Sequence, residues 1–260
     1  MRYKLVALDM DGTLLDDQKR ISPENANWIA RAGLNGVTVM LTTGRGIQNI
    51  RPYVDELQLQ SPLVAVNGGE VWKAPGDVYR RTPLHHELIR KMREKALDTG
   101  VWYWAYTTEG LMNRDSWKDK PWEEQTWLKF GYSSKDERLL KEIAEWLGTI
   151  PDIEVTNSHW SNLEIGPIGI TKASGVEEVC RMLGIGLHEC VAIGDGDNDI
   201  SMLRACGLGV AMANAPDDVK RHADKTTASN TEDGVAEALK YVLSCNGVAV
   251  GPLLDSFSDS

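Results

Sequence analysis

The chain has few cysteines, and their spacing matches neither a disulfide framework nor a redox pair. There are four, at positions 180, 190, 206 and 245; none forms a Cys-x-x-Cys pair, and the first three stand among apolar residues. Such spacing is typical of buried thiols in a reducing cytosol. The five histidines also lack metal-binding spacing. We therefore expect free thiols and no disulfide.

Long hydrophobic runs and a basic surface are missing too. No segment approaches the roughly 18 to 20 consecutive apolar residues of a membrane helix, and the first apolar run is too short for a signal peptide. Acidic side chains outnumber basic ones by 38 to 28, and the formal net charge is −10. Because nucleic acids and anionic membranes bind basic surfaces, we expect neither as a partner. A cytoplasmic protein is predicted.

What the sequence does contain is an alternation of short apolar strands with helices. In the first part, strands are predicted at 5–8, 37–41 and 63–66, and helices at 23–32 and 47–59. In the last part, helices are predicted at 172–183, 199–206, 217–223 and 232–243, and strands at 190–193 and 208–211. This alternation predicts an α/β fold, an open and mainly parallel Rossmann-like sheet with helices on both faces.

The segment between these two parts has a different character. Residues 82–166 hold seven of the nine tryptophans. Helices are predicted there at 85–99 and 134–147, the second opened by a capping box at Ser134, and strands at 102–107 and 153–158. We interpret the segment as an inserted, smaller α+β domain, so that 1–81 and 167–250 form a discontinuous core. Residues 251–260 are expected to be a flexible tail.

Polar clusters follow the predicted strands of the core. The clusters are DMDG at 9–12, TTGR at 42–45, NGG at 67–69 and GDGDND at 194–199. In an open α/β sheet, ligands bind outside the carboxyl ends of the strands. We therefore expect one edge of the sheet to collect all four clusters.

The carboxylates in these clusters point to phosphoryl chemistry. Asp9 and Asp195 would repel each other at that edge unless a divalent cation lay between them, and an all-oxygen ligand set favours Mg²⁺. Asp9 is then a nucleophile toward phosphorus, and Asp11 can act as general acid and base. Thr43 and Lys172 can stabilise the phosphoryl oxygens, while Gly12 permits a turn whose N–H groups face an anion.

Two other interpretations start from the same clusters. Aspartate, asparagine and glycine are ordinary helix-capping and turn residues, which explains one cluster more easily than two that converge. A calcium loop of the EF-hand type starting at Asp195 would need glycine where Ile200 stands and glutamate where Cys206 stands. The converging metal and phosphate site is the preferred interpretation.

These segments resemble the four motifs of the haloacid dehalogenase (HAD) superfamily. The matching segments, in the family's order and spacing, are DMDGTL at 9–14, TGR at 43–45, Lys172 and GDGDNDISM at 194–202. The insert between the second and third motifs is similar to the C2-type cap of the Cof-type phosphatase branch. The resemblance covers essentially the whole core.

The resemblance implies a Mg²⁺-dependent phosphatase that acts on a small organic phosphate monoester through an aspartyl-phosphate intermediate. Sugar phosphates are favoured over nucleotide, flavin or pyridoxal phosphates. The implied roles are nucleophile for Asp9 and acid/base for Asp11; phosphate binding for Thr43, Gly44, Lys172 and Asn198; metal binding for Asp9, Asp11 (through its main-chain carbonyl), Asp195 and Asp199; and contacts to substrate or cap for Arg45, Asn67 and Gly68. The partner would be a phosphorylated metabolite, and the protein a monomer or homodimer.

Two further functions use similar residues. A non-catalytic receiver-like module also accepts a phosphoryl group on aspartate beside Thr, Lys and Mg²⁺, but on a mid-chain strand rather than the first. A regulator that only binds sugar phosphates is the other, although no catalytic position is missing here. The tryptophans are a separate question. Trp102 and Trp104 share one strand face. A place in the cap core or on a covered sheet face is favoured for them over a platform for a sugar or base ring. As a hypothesis, a subset of Trp102, Trp104, Trp117, Trp122 and Trp127 lines the substrate cavity.

Overall fold

The computed structural model describes residues 2–117 and 121–257, which contain eight α-helices and thirteen β-strands. The first part of the chain forms β1 (Leu5–Leu8), α1 (Pro23–Leu34), β2 (Thr38–Leu41), α2 (Ile47–Glu56), β3 (Leu63–Ala65), β4 (Glu70–Ala74) and β5 (Asp77–Arg81). The middle forms α3 (His86–Thr99), β6 (Trp102–Thr107), β7 (Gly110–Asn113), β8 (Trp127–Ser133), α4 (Glu137–Leu147), β9 (Ile153–Thr156) and β10 (Asn162–Pro167). The last part forms α5 (Lys172–Leu183), β11 (Cys190–Gly194), α6 (Ile200–Ala205), β12 (Leu208–Ala211), α7 (Asp217–Lys220), β13 (Lys225–Thr226) and α8 (Gly234–Cys245).

A five-stranded parallel sheet is the centre of the core domain. Its strand order is β13-β12-β11-β1-β2, and all four neighbouring pairs are parallel. Every residue of β1, β11 and β12 is buried, as expected for strands that helices cover on both faces. The α/β prediction is confirmed, and β1 holds a central position between β2 and β11.

The third predicted strand takes a different place. β3 pairs antiparallel with β4, in a separate three-stranded sheet with β5. It still meets the parallel sheet, because Thr42 and Val64 form a parallel bridge and the N–H of Thr43 donates to the Val64 carbonyl at 2.9 Å. The apolar run at 63–66 is too short to specify its neighbour, so its pattern cannot distinguish the two sheets.

The middle of the chain forms an α+β cap, as predicted. Its antiparallel sheet has the order β7-β6-β8-β10-β9, and α3 and α4 pack on one face with Met92, Phe130, Tyr132 and Ile143 in the buried cluster between them. Side chains alternate along β8, so Lys129 and Gly131 are on the face opposite to Phe130. That second face turns toward the core domain. The domain limits at 82 and 166 stay predictions.

Two local predictions need correction. The N-cap of α4 is Asp136, whose carboxylate accepts from the backbone N–H groups of Arg138 and Leu139, and not Ser134. The segment 251–257 is not a loose tail, because Phe257 is buried and stacks on Tyr241 at 4.6 Å between ring centroids. A terminal aromatic ring gains free energy by covering apolar surface. Residues 258–260 lie outside the described residues.

Two composition-based expectations can be compared with the structure. Cys180, Cys190 and Cys206 are buried, and all four cysteines are free thiols. In the described ranges, no helix combines the length and the apolar character that crossing a bilayer requires.

Candidate active site

The carboxyl ends of three parallel strands form the floor of one cavity. Asp9 follows β1, Thr43 follows β2 and Asp195 follows β11, and all three line a cavity of about 520 Å³. Its other wall comes from the cap, through residues of β6, β7, β8 and the segment between β9 and β10. Three of the four predicted polar clusters therefore meet at one edge of the parallel sheet. The fourth, at 67–69, follows β3 of the separate sheet and contacts this edge through Asn67 and Asn198.

Three carboxylates converge on this floor. Asp9, Asp195 and Asp199 each bring one carboxylate oxygen within 4.8 Å of the others. The ammonium of Lys172 donates to Asp9 Oδ1 at 2.6 Å and to Asp199 Oδ1 at 2.5 Å. Three carboxylates around a single buried ammonium leave an excess of negative charge.

The pKa values of Asp9 and Asp195 in this cluster are raised, as burial and the excess of negative charge require. Burial, followed by the charge of Asp199, raises the pKa of Asp9 well above its ordinary value. The same two causes raise the pKa of Asp195 to about 6. Burial alone would lower the pKa of Lys172, but the charges of Asp199 and Asp9 hold it above its usual range. A crowded set of carboxylate oxygens is the ligand set that a hard divalent cation fits.

Gly12 and Thr13 bring Asp195 to the strand that carries Asp9. Gly12 has a left-handed φ of 81°, and a Cβ at this position would lie 2.2 Å from Asp195 Oδ2. Thr13 Oγ1 donates to Asp195 Oδ1 at 2.7 Å. The glycine is needed for this close approach, which the sequence motif alone did not reveal.

Asp199 holds the loop that carries Asp195. Its Oδ2 accepts from the backbone N–H groups of Asp195 at 3.0 Å and Gly196 at 2.9 Å, while Oδ1 accepts from Lys172. Both oxygens of this fully buried carboxylate are therefore engaged. This position suits a carboxylate that orients Lys172 and the loop better than one that binds a metal ion directly.

Lys172 is placed by the start of α5. Thr171 is the N-cap and forms a reciprocal capping box with Ser174. A Cβ on Gly68, which has a left-handed φ of 97°, would lie 2.2 Å from the Thr171 carbonyl oxygen. Gly68 therefore packs against the helix start, and its role as a substrate or cap contact stays a prediction.

The Asp11 carboxylate lies outside the three-carboxylate cluster. It accepts two hydrogen bonds of 2.6 Å from Arg45 Nε and Nη2, and one of 2.7 Å from Lys19 Nζ. Burial alone would raise the pKa of Asp11, but the hydrogen bonds from Arg45 and Lys19 hold it below its ordinary value. The Asp11 carboxyl therefore favours its ionised form in this arrangement.

The remaining predicted phosphate residues line the same cavity. Thr43, Gly44 and Asn198 all face it. Asn198 Nδ2 donates to Asn67 Oδ1 at 3.3 Å. Asn67 has a left-handed φ of 53° and is held by a 3.0 Å hydrogen bond from its N–H to the Thr43 carbonyl. The loops after β2 and β3 therefore form one unit beside Asp9.

Two charged cap residues that line the cavity were not predicted from the sequence. Lys129 on β8 donates to the Gly44 carbonyl at 2.6 Å and to Glu164 Oε2 on β10 at 2.8 Å. Glu164 Oε2 also accepts from Asn67 Nδ2 at 2.7 Å, which makes Asn67 a contact between core and cap. The available signal was a lysine inside the apolar strand WLKFGYS, since an unpaired lysine is rarely buried.

The structure separates the cap tryptophans into two groups. Trp102 and Trp104 line the cavity. Trp117, Trp122 and Trp127 cluster together on the opposite face, with ring centroids 5.5 to 5.7 Å apart. The cap core that was favoured for Trp102 and Trp104 is formed by the second group instead. The hypothesis of a cavity-lining subset describes Trp102 and Trp104.

Comparison with known proteins points in the same direction. The sequence matches the family described as haloacid dehalogenase-like hydrolase over residues 6–143 and 118–239. It is 39% identical over 241 residues to a protein of Bacillus subtilis (strain 168) named 5-amino-6-(5-phospho-D-ribitylamino)uracil phosphatase YcsE. That alignment covers 92% of this chain and 95% of the relative.

Two solved structures share the fold over nearly their whole length. A haloacid dehalogenase-like hydrolase from Bacteroides thetaiotaomicron superposes with a TM-score of 0.81 at 29% identity, covering 92% of this chain and 99% of the other. The sugar phosphatase BT4131, of HAD subclass IIB, superposes with a TM-score of 0.80 at 27% identity, covering 92% and 98%.

Proposed function

We propose that this chain, which belongs to the haloacid dehalogenase-like hydrolases and is a phosphatase, hydrolyses a ribityl phosphate with the help of Mg²⁺. The specific substrate that we propose is 5-amino-6-(5-phospho-D-ribitylamino)uracil. The observation that carries the chemistry is the convergence of Asp9, Asp195 and Asp199 around Lys172 in one cavity.

In the first step, an Asp9 carboxylate oxygen attacks phosphorus in line with the ester oxygen. The bond from phosphorus to the ester oxygen breaks, and an acyl phosphate forms on Asp9. The leaving alcohol takes its proton from Asp11. Lys172 and Thr43 bind the phosphoryl oxygens, whose charge grows in the transition state.

In the second step, water attacks the phosphorus of the acyl phosphate and Asp11 removes its proton. The bond between phosphorus and Asp9 breaks, so phosphate leaves and the carboxylate is restored. Arg45 and Lys19 hold Asp11 in the ionised form that this second step needs. For the first step Asp11 must be protonated, so the ion pair with Arg45 has to loosen before the alcohol leaves.

Asp9, Asp195 and the main-chain carbonyl of Asp11 would hold the Mg²⁺ ion. When bound, the cation supplies positive charge that offsets the carboxylates and lets a phosphate dianion approach Asp9. The excess of buried carboxylates over ammonium groups supports this proposal.

The substrate proposal is supported by the name of the 39% identical relative and by the shape of the cavity. A polar floor suits the phosphate, and an aromatic wall of Trp102 and Trp104 suits a uracil ring. A plain sugar phosphate is the second candidate, favoured by the fold shared with the sugar phosphatase BT4131. A cytoplasmic location and a monomeric or homodimeric state stay predictions from sequence.

Phosphate release by purified protein tests the function. We expect faster release from the ribitylaminouracil ester than from hexose 6-phosphates in Mg²⁺, no release in EDTA, and loss of release in Asp9→Asn. Asp197→Asn is the matched control, because Asp197 stands in the same loop as Asp195 but is exposed. Full turnover by Asp9→Asn would contradict the mechanism, and a preference for hexose 6-phosphates would contradict the substrate.

A further inference from the structure

The indole of Trp104 packs directly over a glycine of the cap sheet. Trp104 on β6 is directly opposite Gly131 on β8. A Cβ on Gly131 would lie 2.3 Å from the indole ring of Trp104. The backbone at Gly131 does not have a left-handed φ, so the glycine is required by the ring above it and not by the chain conformation.

Two further neighbours hold this indole in one orientation. Tyr106 packs against it edge-on, with ring centroids 5.5 Å apart. The Lys129 ammonium lies 5.0 Å from the ring centroid, within the range of a cation–π contact. Lys129 is in turn fixed by Glu164 and the Gly44 carbonyl. An indole restrained on several sides loses little side-chain entropy when a ligand stacks on it.

The part of Trp104 that remains uncovered belongs to the cavity wall. Trp102, two residues earlier on the same face of β6, lines the same cavity. Leu111 of β7 is also part of that wall and is 47% exposed. Binding a phosphate or a polyol above a floor of carboxylates does not need an apolar wall of two indoles and a leucine.

We infer that Trp102 and Trp104 form a subsite for a flat ring, so that the enzyme selects phosphate monoesters whose leaving group carries one. The inference rests on the proposed function, because it takes the phosphate to lie at Asp9. A heteroaromatic ring offers a π-face to the indoles, and its polar edge can reach Ser158 or His159, which border the same cavity. Ring-free sugar and polyol phosphates would leave this wall uncovered.

The test compares two phosphate esters, one that carries a flat ring and one that lacks it. One is 5-amino-6-(5-phospho-D-ribitylamino)uracil, and the other is D-ribitol 5-phosphate, which has the same phosphate and polyol. The quantity measured is the ratio of their kcat/KM values. Stacking of a base on an aromatic side chain predicts that Trp104→Leu lowers this ratio about 5- to 150-fold.

Two variants separate stacking from general damage to the cap. Gly131→Ala keeps the indole but displaces it, and we expect the ratio to fall in the same direction. Trp146→Leu removes a half-buried cap tryptophan on α4, outside the cavity, and we expect the ratio to stay that of the wild type. Thermal unfolding of each variant checks that it is folded.

The outcomes distinguish the inference from the proposed substrate. If the ratio falls equally in Trp104→Leu and Trp146→Leu, or if the wild type does not prefer the ring-bearing ester, the ring subsite is wrong. If the wild type instead prefers flavin mononucleotide, another ribityl phosphate with a flat ring, the proposed substrate is wrong. A fall of the flavin ratio in Trp104→Leu would then still support the ring subsite.

Discussion

The Lys129 ammonium of the cap donates a hydrogen bond of 2.6 Å to the main-chain carbonyl oxygen of Gly44 in the core. Lys129 also pairs with Glu164 at 2.8 Å, and both side chains are almost completely buried. Gly44 directly follows Thr43 in the loop after β2. One buried charge therefore links the cap to this loop of the core.

We expect Lys129→Met to weaken both stability and catalysis. It removes one partner of a buried ion pair, which costs about 3 to 5 kcal/mol because the other charge is left uncompensated. Chemical denaturation should show this loss, and kcat/KM should fall at least tenfold. Lys129→Met/Glu164→Gln should be more stable than Lys129→Met alone, whereas Lys141→Met, at an exposed position of α4, should match the wild type. Equal stability of Lys129→Met and wild type would contradict the role of the pair.

The ion pair of Glu164 with Lys129 predicts how the stability of the fold depends on pH. Burial alone would raise its pKa, but the charge and hydrogen bond of Lys129 hold the pKa below its ordinary value. A carboxyl whose pKa is lowered by folding stabilises the fold above its unfolded pKa, and this contribution is lost as the pH falls through the folded pKa. Between about pH 6 and pH 3, the free energy of unfolding should fall more steeply for the wild type than for Glu164→Gln. Parallel curves for the two proteins would show that the pair does not govern acid stability.

Mg²⁺ should stabilise the folded protein through Asp195. Binding to the folded state alone adds about 2.7 kcal/mol when the free ion is at 100 times its Kd. We expect Mg²⁺ to raise the Tm of the wild type and of Asp197→Asn, and EDTA to reverse the effect. Asp195→Asn should show little or no rise, because it lacks one ligand. An equal rise in all three proteins would place the ion elsewhere.

Gly12→Ala tests the close approach of Asp195. The added Cβ would lie 2.2 Å from Asp195 Oδ2, at a backbone with a left-handed φ. We expect activity to fall by a factor of about 100 or more, since even small displacements of catalytic groups are costly. Gly33→Ala, at a glycine with no neighbouring atom within 4 Å of the added Cβ, is the matched control and should keep full activity. A fully active Gly12→Ala would show that this spacing is not needed.

Much of the site was predictable because its residues stand in short motifs at strand ends. Asp9, Thr43 and Asp195 each follow an apolar run, and the parallel sheet brings those ends together. The partners of Asp11 were not predictable, since Arg45 and Lys19 come from other segments of the chain. The sheet of β3 was also missed, because a short apolar run carries no information about its neighbour.

The sequence by itself determined the α/β fold, the inserted cap and the residue types for phosphoryl chemistry, because hydrophobic periodicity and strand-end motifs are local properties of the chain. Only the tertiary structure decided which groups meet across it. Lys129 reaches Gly44 over a separation of 85 residues, and Thr13 reaches Asp195 over 182. The physical reason is that a buried charge or ring is stabilised by its spatial partners, and these are set by packing. Packing also placed Trp104 beside the cavity and Trp127 inside the cap, although both are tryptophans in strands of the same sheet.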